Sequence, residues 1–583
     1  MSDRLAAFFC RPTVRRVLAV AALAGGGLLP GPAPAADMPP GIPWVDVKAG
    51  GSVDAAFARA RQENRPLFLY WGAVWCPPCN QVKATVFSRQ DFIERARSFI
   101  PVYIDGDAPA AQQLGARFKV SGYPTTILFR PDGTEVMRLP AEVDGERYMQ
   151  ALAQGMSGRP VRALLAQARA PGGKPLTQDE WRQLAFHAWS VDEDAVLPRA
   201  ERAGTLWALA QQSNAAAPEA SARLALQAIR MASGDRNAGP TIDRAAALQR
   251  VRAVLASPPI ARANLTELAY GAQRVPGFVT DAGTPQRAQL LREWDRALVR
   301  TIGDGQLSRL DRVMAVNARI DLAKVDAPGE PLPVALQTEI RGTVLSTLRE
   351  VHDPFEREAL SVAAASALGD AGLWSEAENV AKTQMERSST PYYHMRVLAA
   401  LARERGDFAA AIGWSEKAYA SAKGPATRLE WGAGLLRNLI NHAPAEAGRI
   451  ERTAASVIGE LEPRPETFHG RNRGILERMG RQLNEWNKDG RHDALLARLR
   501  AQLNGLCTQL PAQAPERATC GALLAARAAG EGERQSDMSA VTAQSAPLVV
   551  ANARSSPSYG CALRLDWSAL GSPLGHAGLP LTL

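Results

Sequence analysis

Trp75-Cys76-Pro77-Pro78-Cys79 sets two thiols one helical turn apart, with an apolar run, Leu67-Phe68-Leu69-Tyr70-Trp71, leading in and a helical pattern leading out. Two cysteines so spaced open and close as one disulfide: one thiolate attacks a foreign disulfide, and the other displaces the product. A cysteine at a helix start faces unpaired backbone amides and the positive end of the helix dipole, which favour thiolate over thiol. Cys76 is therefore the expected nucleophile and Cys79, one turn along and more buried, the resolving thiol. A purely structural disulfide would need neither Trp75 nor a helix start. Zinc would need two more ligands, yet the chain has no second Cys-x-x-Cys and none of its seven histidines lies in this region. Pro77 and Pro78 supply no amide hydrogen and no charge to the Cys76 sulfur, so the disulfide is expected to be weakly oxidising and the pair to act as a reductase more than as an oxidase.

The elements that must position this pair are legible around it. Ser52 caps a helix through residue 61, the apolar run ends a strand at Trp71, and a helix starts at the cysteines. Residues 99–104 read as a second buried strand, 112–118 as a helix and 123–129 as a third strand. Pro131-Asp132-Gly133 turns the chain into an antiparallel partner at 135–139, and a helix over 145–154 closes the unit. The order gives an α/β domain with mixed strand pairing and helices on both faces.

At Trp75-Cys76-Pro77-Pro78-Cys79 and Pro124 this segment resembles the thioredoxin family. It is similar to the periplasmic C-terminal thioredoxin domain of DsbD-type thiol reductases at Val86-Phe87-Ser88, at Phe118-Lys119-Val120-Ser121-Gly122-Tyr123-Pro124-Thr125 and over 129–135. The resemblance covers residues 36–156 only. It implies a thioredoxin-like α/β fold and exchange with a protein thiol or disulfide client. A redox partner would restore the dithiol, and no metal or organic cofactor is needed. It also implies a cis Pro124 whose backbone pairs with an extended substrate strand beside Cys76, with Tyr123 lining that groove and Trp75 its rim. A trans turn proline and two core aromatics are the alternatives. Two departures bear on the chemistry: Tyr70 stands where the family has a buried acid, and Lys83 where the DsbD-type domain has one. Neither can be a carboxylate base for Cys79, and a Lys83 facing the site would favour thiolate and push back toward oxidation.

The amino terminus speaks to location. Arg11, Arg15 and Arg16 precede an uncharged stretch over 17–29, followed by Ala33-Pro34-Ala35, the pattern of a secretory signal peptide over 1–35. The stretch is short of the roughly 20 residues of a spanning helix, and Gly25-Gly26-Gly27 interrupts it, so cleavage is expected and no stable membrane insertion thereafter. Cys10 precedes the apolar region, the wrong place for a lipid-modified cysteine. The expected location is periplasmic or secreted. Without the leader the net charge is about +6 on a long chain, weak evidence for any partner. No dense Lys/Arg block occurs, so nucleic-acid binding is not expected.

At 583 residues the chain exceeds one core. After a linker over 157–178, marked by Ala170-Pro171-Gly172-Gly173-Lys174-Pro175, residues 179–530 carry Ala, Leu and Arg at helical spacing. Gly372 recurs as Gly406, Trp374 as Phe408, Ala377 as Ala411 and Pro391 as Pro425, each pair 34 residues apart. That is the period of a tetratricopeptide repeat, so an all-α, TPR-like solenoid that binds protein segments is expected, with a plain helical spacer as the alternative. Cys507 and Cys520 enclose a polar, proline-containing loop, which reads as a disulfide staple or as two unpaired thiols, and Cys561 is left over. Residues 531–583 read as a disordered tail. The function expected is a periplasmic thiol-disulfide oxidoreductase whose repeats hold a client. The alternative is a non-catalytic scaffold with a thioredoxin-like recognition module.

Overall fold

The computed structural model describes residues 38–47, 51–108, 111–120, 122–141, 144–192, 194–234 and 242–525. Five strands, β1 (Val45–Asp46), β2 (Leu67–Gly72), β3 (Ile100–Asp105), β4 (Thr125–Phe129) and β5 (Glu135–Leu139), form one sheet in the order β1-β3-β2-β4-β5. β2 runs parallel to β3, from Leu67 opposite Ile100 to Gly72 opposite Asp105, and antiparallel to β4, while β5 pairs antiparallel with β4. Every residue of β2 and β3 is buried, which is why both read as unbroken apolar runs and not as alternations.

Helices flank the sheet. α1 (Val53–Glu63) starts where the Ser52 side chain accepts from the Ala55 amide and stops at Asn64, which is left-handed at φ 49°. α2 (Pro77–Val82) follows β2 and runs into a π-helical turn over Lys83–Phe87 that no local pattern foretold. α3 (Gln90–Arg95), α4 (Ala111–Arg117) and α5 (Gly145–Ser157), the last capped by Asp144, complete the unit.

Beyond α5 the described residues are helical throughout, with no strand. The stretch 157–178, expected to be a linker, carries a helix over Val161–Arg169 whose Val161, Leu164 and Leu165 are buried. Their i, i+3, i+4 spacing gives the segment an apolar stripe that packs against the domain instead of crossing solvent. The helices Trp374–Met385, Pro391–Glu404, Phe408–Ser421 and Pro425–His442 pack in succession. Gly372 and Gly406 leave the preceding helices at φ 79° and 75°, Ala377 and Ala411 are fully buried, and Pro391 and Pro425 each begin a helix. Cys507 and Cys520 are joined by a disulfide with a Cα–Cα distance of 5.7 Å, tying the end of Asp493–Cys507 to Pro515–Ala522. The leader over 1–35, the tail over 531–583 and Cys561 lie outside the described residues. No described helix is long and apolar enough to cross a membrane.

The core lies on both faces of the sheet. Leu67, Leu69 and Trp71 of β2 face a cluster that continues into Leu310, Leu360, Leu398 and Leu436. Phe68 and Tyr70 face another that continues through Tyr148 into Leu164, Leu184, Leu206 and Trp294. The period of two along β2 thus sends alternate side chains into two cores, and helices well beyond residue 160 complete each.

Candidate functional site: a cysteine pair beneath the helical region

Cys76 caps α2. Its backbone is extended, at φ −79° and ψ 113°, and its sulfur accepts a hydrogen bond from the Cys79 amide at 3.4 Å. Pro77 and Pro78 fill the first turn and have no N–H, so the first amide the sulfur can reach is that of Cys79. The Cys76 Sγ lies 3.7 Å from the carbonyl oxygen of Tyr123, as its donor, and the Tyr123–Pro124 peptide is cis. β2 delivers the pair and the turn into β4 delivers the proline, so adjacent antiparallel strands bring residues almost fifty positions apart into contact. Arg138, on β5, is fully buried and fixes the approach to that turn by donating to the carbonyls of Phe118 at 2.7 Å and of Lys119 and Val191 at 2.8 Å.

The electrostatics centre on Cys79. Burial pushes its thiol up, but the hydrogen bond with Cys76, the Ala73 backbone and the Lys83 charge together bring it below its ordinary value. Lys83 is fully buried, with its ammonium 5.4 Å from the centre of the Phe355 ring. Tyr70 is buried on the same side. Desolvation, then the charges of Cys79 and Cys76, hold its phenol well above the usual range, so it stays neutral.

Both cysteines are completely buried, and the cover comes from the helical region. Trp75 Nε1 donates to Asp107 Oδ2 at 3.0 Å, and the same carboxylate accepts from the amide of Thr427 at 2.8 Å and its hydroxyl at 2.6 Å. The Trp75 ring stacks on Tyr393, 6.4 Å between centroids, and the Arg471 guanidinium lies 5.2 Å from Trp75 and 5.6 Å from Tyr123. Gln112 donates to the Tyr123 hydroxyl at 3.2 Å while its own oxygen accepts from the Asn472 amide at 3.2 Å. Trp75 and Tyr123, expected as substrate contacts, are only 6% and 8% exposed and face these helices. Asp107, Tyr393, Thr427 and Arg471 were missed by sequence reasoning, since contacts spanning some three hundred residues leave no local spacing to read. Cys507 and Cys520 form a bond of their own far along the chain. Among the described residues no group of His, Cys, Asp and Glu is arranged to hold a metal ion.

A mixed five-stranded sheet, a Cys-x-x-Cys that opens the helix after β2 and a cis-proline against the first sulfur define a thioredoxin-like α/β domain, here followed by a largely helical region. Residues 53–155 match the family profile of a thioredoxin-like domain. The chain is 32% identical over 124 residues to thiol:disulfide interchange protein DsbD 1 of Pseudomonas aeruginosa, covering 20% of each chain. It is 28% identical over 120 residues to DsbD of Pseudomonas fluorescens, covering 20% of this chain and 21% of that protein. It thus spans about a fifth of the length of the curated relatives it matches. No solved structure matches it.

Proposed function

We propose that this chain is a thiol-disulfide oxidoreductase that reduces protein disulfides in the periplasm or outside the cell. The observation that carries the reading is the Cys76 sulfur capping α2 against the carbonyl before a cis-proline, with Cys79 one turn further in. Cys76 thiolate attacks one sulfur of the client disulfide. The client S–S bond breaks, its second sulfur leaves as thiolate, and a Cys76–client disulfide forms. Cys79 thiolate then attacks Cys76 Sγ and releases the client's first sulfur. The client gains two electrons, and Cys76–Cys79 is left as a disulfide for a dithiol redox partner to reduce. Neither Tyr70 nor Lys83 is a carboxylate base for Cys79, but the hydrogen bond with Cys76, the Ala73 backbone and the Lys83 charge favour its thiolate, the proton passing to solvent.

The reducing direction rests on the two prolines, which withhold amides from the Cys76 sulfur. The helical region is read as a TPR-like stack that holds the client, supported by the 34-residue recurrence and by Gly372 and Gly406 turning successive helices alike. The test is the reduction potential of Cys76/Cys79, equilibrated against glutathione and dithiothreitol with the other cysteines quantified separately. The expected result is near ~−270 mV, and a value near ~−120 mV would make the protein an oxidase.

A second reading is favoured by the complete burial of Cys76: a scaffold whose thioredoxin-like module is a recognition element locked under its own helices. A Cys79→Ser chain that traps no client through Cys76 would support it.

A further inference from the structure

The Trp75 side of Cys76 is closed by Tyr393, Arg471 and the Asp107–Thr427 bridge. On another border, neighbours of the fully buried Cys76 adjoin a cavity. Pro78, between the two cysteines, and Pro124, which follows the carbonyl that accepts from Cys76, line a cavity of about 110 Å³ that is partly open to solvent. Its other wall belongs to the helices Pro218–Gly234, Leu265–Gly271 and Arg309–Lys324.

Three charges of that wall are spent on one another: Glu267 pairs with Arg230 at 2.8 Å and lies 3.7 Å from Arg223. Two amide oxygens also face this wall: Gln227 and Asn317 line the cavity and are only 4% and 8% exposed, and among the described residues neither Gln227 Oε1 nor Asn317 Oδ1 has a hydrogen-bond partner, while Gln227 Nε2 donates to the Ala185 carbonyl. Leaving such atoms buried and unmatched is costly, so a ligand with matching donors gains from binding here. A side-chain amide both donates and accepts, as does each peptide unit of an extended chain.

We propose that this cavity is the entry slot for substrate: it takes an extended, disulfide-bearing polypeptide segment, pairs its backbone with Gln227 and Asn317, and presents its sulfur to Cys76 past Pro124. The inference rests on the thiol-exchange reading of Cys76. A space enclosed between packed elements admits an unfolded or extended segment and excludes a folded domain, so the substrate is a polypeptide before or without its final fold.

The test uses the full chain with Cys10, Cys79 and Cys561 replaced by serine. The probe is a short synthetic peptide whose cysteine is disulfide-bonded to thionitrobenzoate. Attack by Cys76 joins its sulfur to the peptide's, breaks the probe's S–S bond and expels yellow thionitrobenzoate with the electron pair. Iodoacetamide alkylation of Cys76, read by mass, reports the thiol's own reactivity. Met231→Trp and Met314→Trp fill the slot from partly buried positions, and Asn317→Leu removes an amide at little change in volume. The second-order rate constant with the peptide is expected to fall about tenfold or more in all three; alkylation by the much smaller iodoacetamide falls less than the peptide rate in the tryptophan variants and stays within about twofold in Asn317→Leu. Should a tryptophan variant misfold, circular dichroism and faster alkylation reveal it, and Asn317→Leu decides. Unchanged peptide rates, with acceleration by Tyr393→Ala instead, would overturn the proposal and put entry on the Trp75 side. If Cys76 in the folded parent chain resists iodoacetamide altogether, the thiol-exchange reading itself falls.

Discussion

At the level of single residues, a buried cation adds to the hydrogen bonds from Cys76 and the Ala73 backbone that lower the Cys79 thiol. Replacing Lys83 with methionine keeps a long side chain over Phe355 but removes the charge that lowers the Cys79 thiol. The thiolate would then form only at higher pH. Decay of a preformed Cys76–peptide disulfide should therefore slow at neutral pH and recover in alkali, measurable by stopped flow between pH 6 and 10. Asp311, buried where Gln81 donates to it at 3.5 Å, is raised to about 6, chiefly by desolvation. Its proton is held more tightly folded than unfolded, so this contribution to stability is complete below the unfolded value and is lost as pH rises through about 6. Asp311→Asn should exceed the parent in stability at pH 7 by up to about 3 kcal/mol, a gap that closes toward pH 4 in urea titrations.

At the scale of elements, two glycines separate backbone strain from contact. Gly406, at φ 75°, has open space where a Cβ would stand, so Gly406→Ala should cost only the left-handed penalty of about 1 kcal/mol. Gly424, at φ 87° before Pro425–His442, would put its Cβ 2.7 Å from Asp107 Cγ. Gly424→Ala should cost about 2–3 kcal/mol and alter Trp75 fluorescence, because displacing Asp107 breaks the bridge from Trp75 to Thr427. Denaturant unfolding of both variants gives the comparison. The mark that sequence leaves on elements is equally uneven. Ser52 and the apolar run into Trp71 placed α1 and β2, whereas Val161, Leu164 and Leu165 were read as part of a linker, since Pro171-Gly172-Gly173 is a stronger local signal than a two-turn stripe.

At the scale of the whole molecule, the domain and the helices share both cores. Phe68 and Tyr70 pack in one cluster with Leu184 and Trp294, and Leu69 and Trp71 in another with Leu360 and Leu436. Neither part keeps a closed apolar interior without the other. Far-UV circular dichroism and tryptophan fluorescence should therefore trace one coincident unfolding transition, and two separated transitions would refute the shared core. The Cys507–Cys520 bond closes a loop with a sequence separation of 13 at the far end of the helices. Replacing both with alanine should lower stability by about 3 kcal/mol within that same transition.

The features legible from the residues alone are local: two cysteines at helical spacing, a strand ahead of them, glycines and prolines recurring every 34 residues. Each is a matter of backbone geometry within a few residues, where the period of a strand or helix and the capacity of one side chain to cap a turn suffice. Long-range packing set the rest: Cys76 is buried, Trp75 and Tyr123 face Tyr393, Thr427 and Arg471, and a cavity beside Pro124 is walled by helices a hundred to two hundred residues away. Burial and a cavity belong to no residue in particular. They arise from which apolar faces meet, and for β2, apolar on both faces, the partners were set by packing at long range.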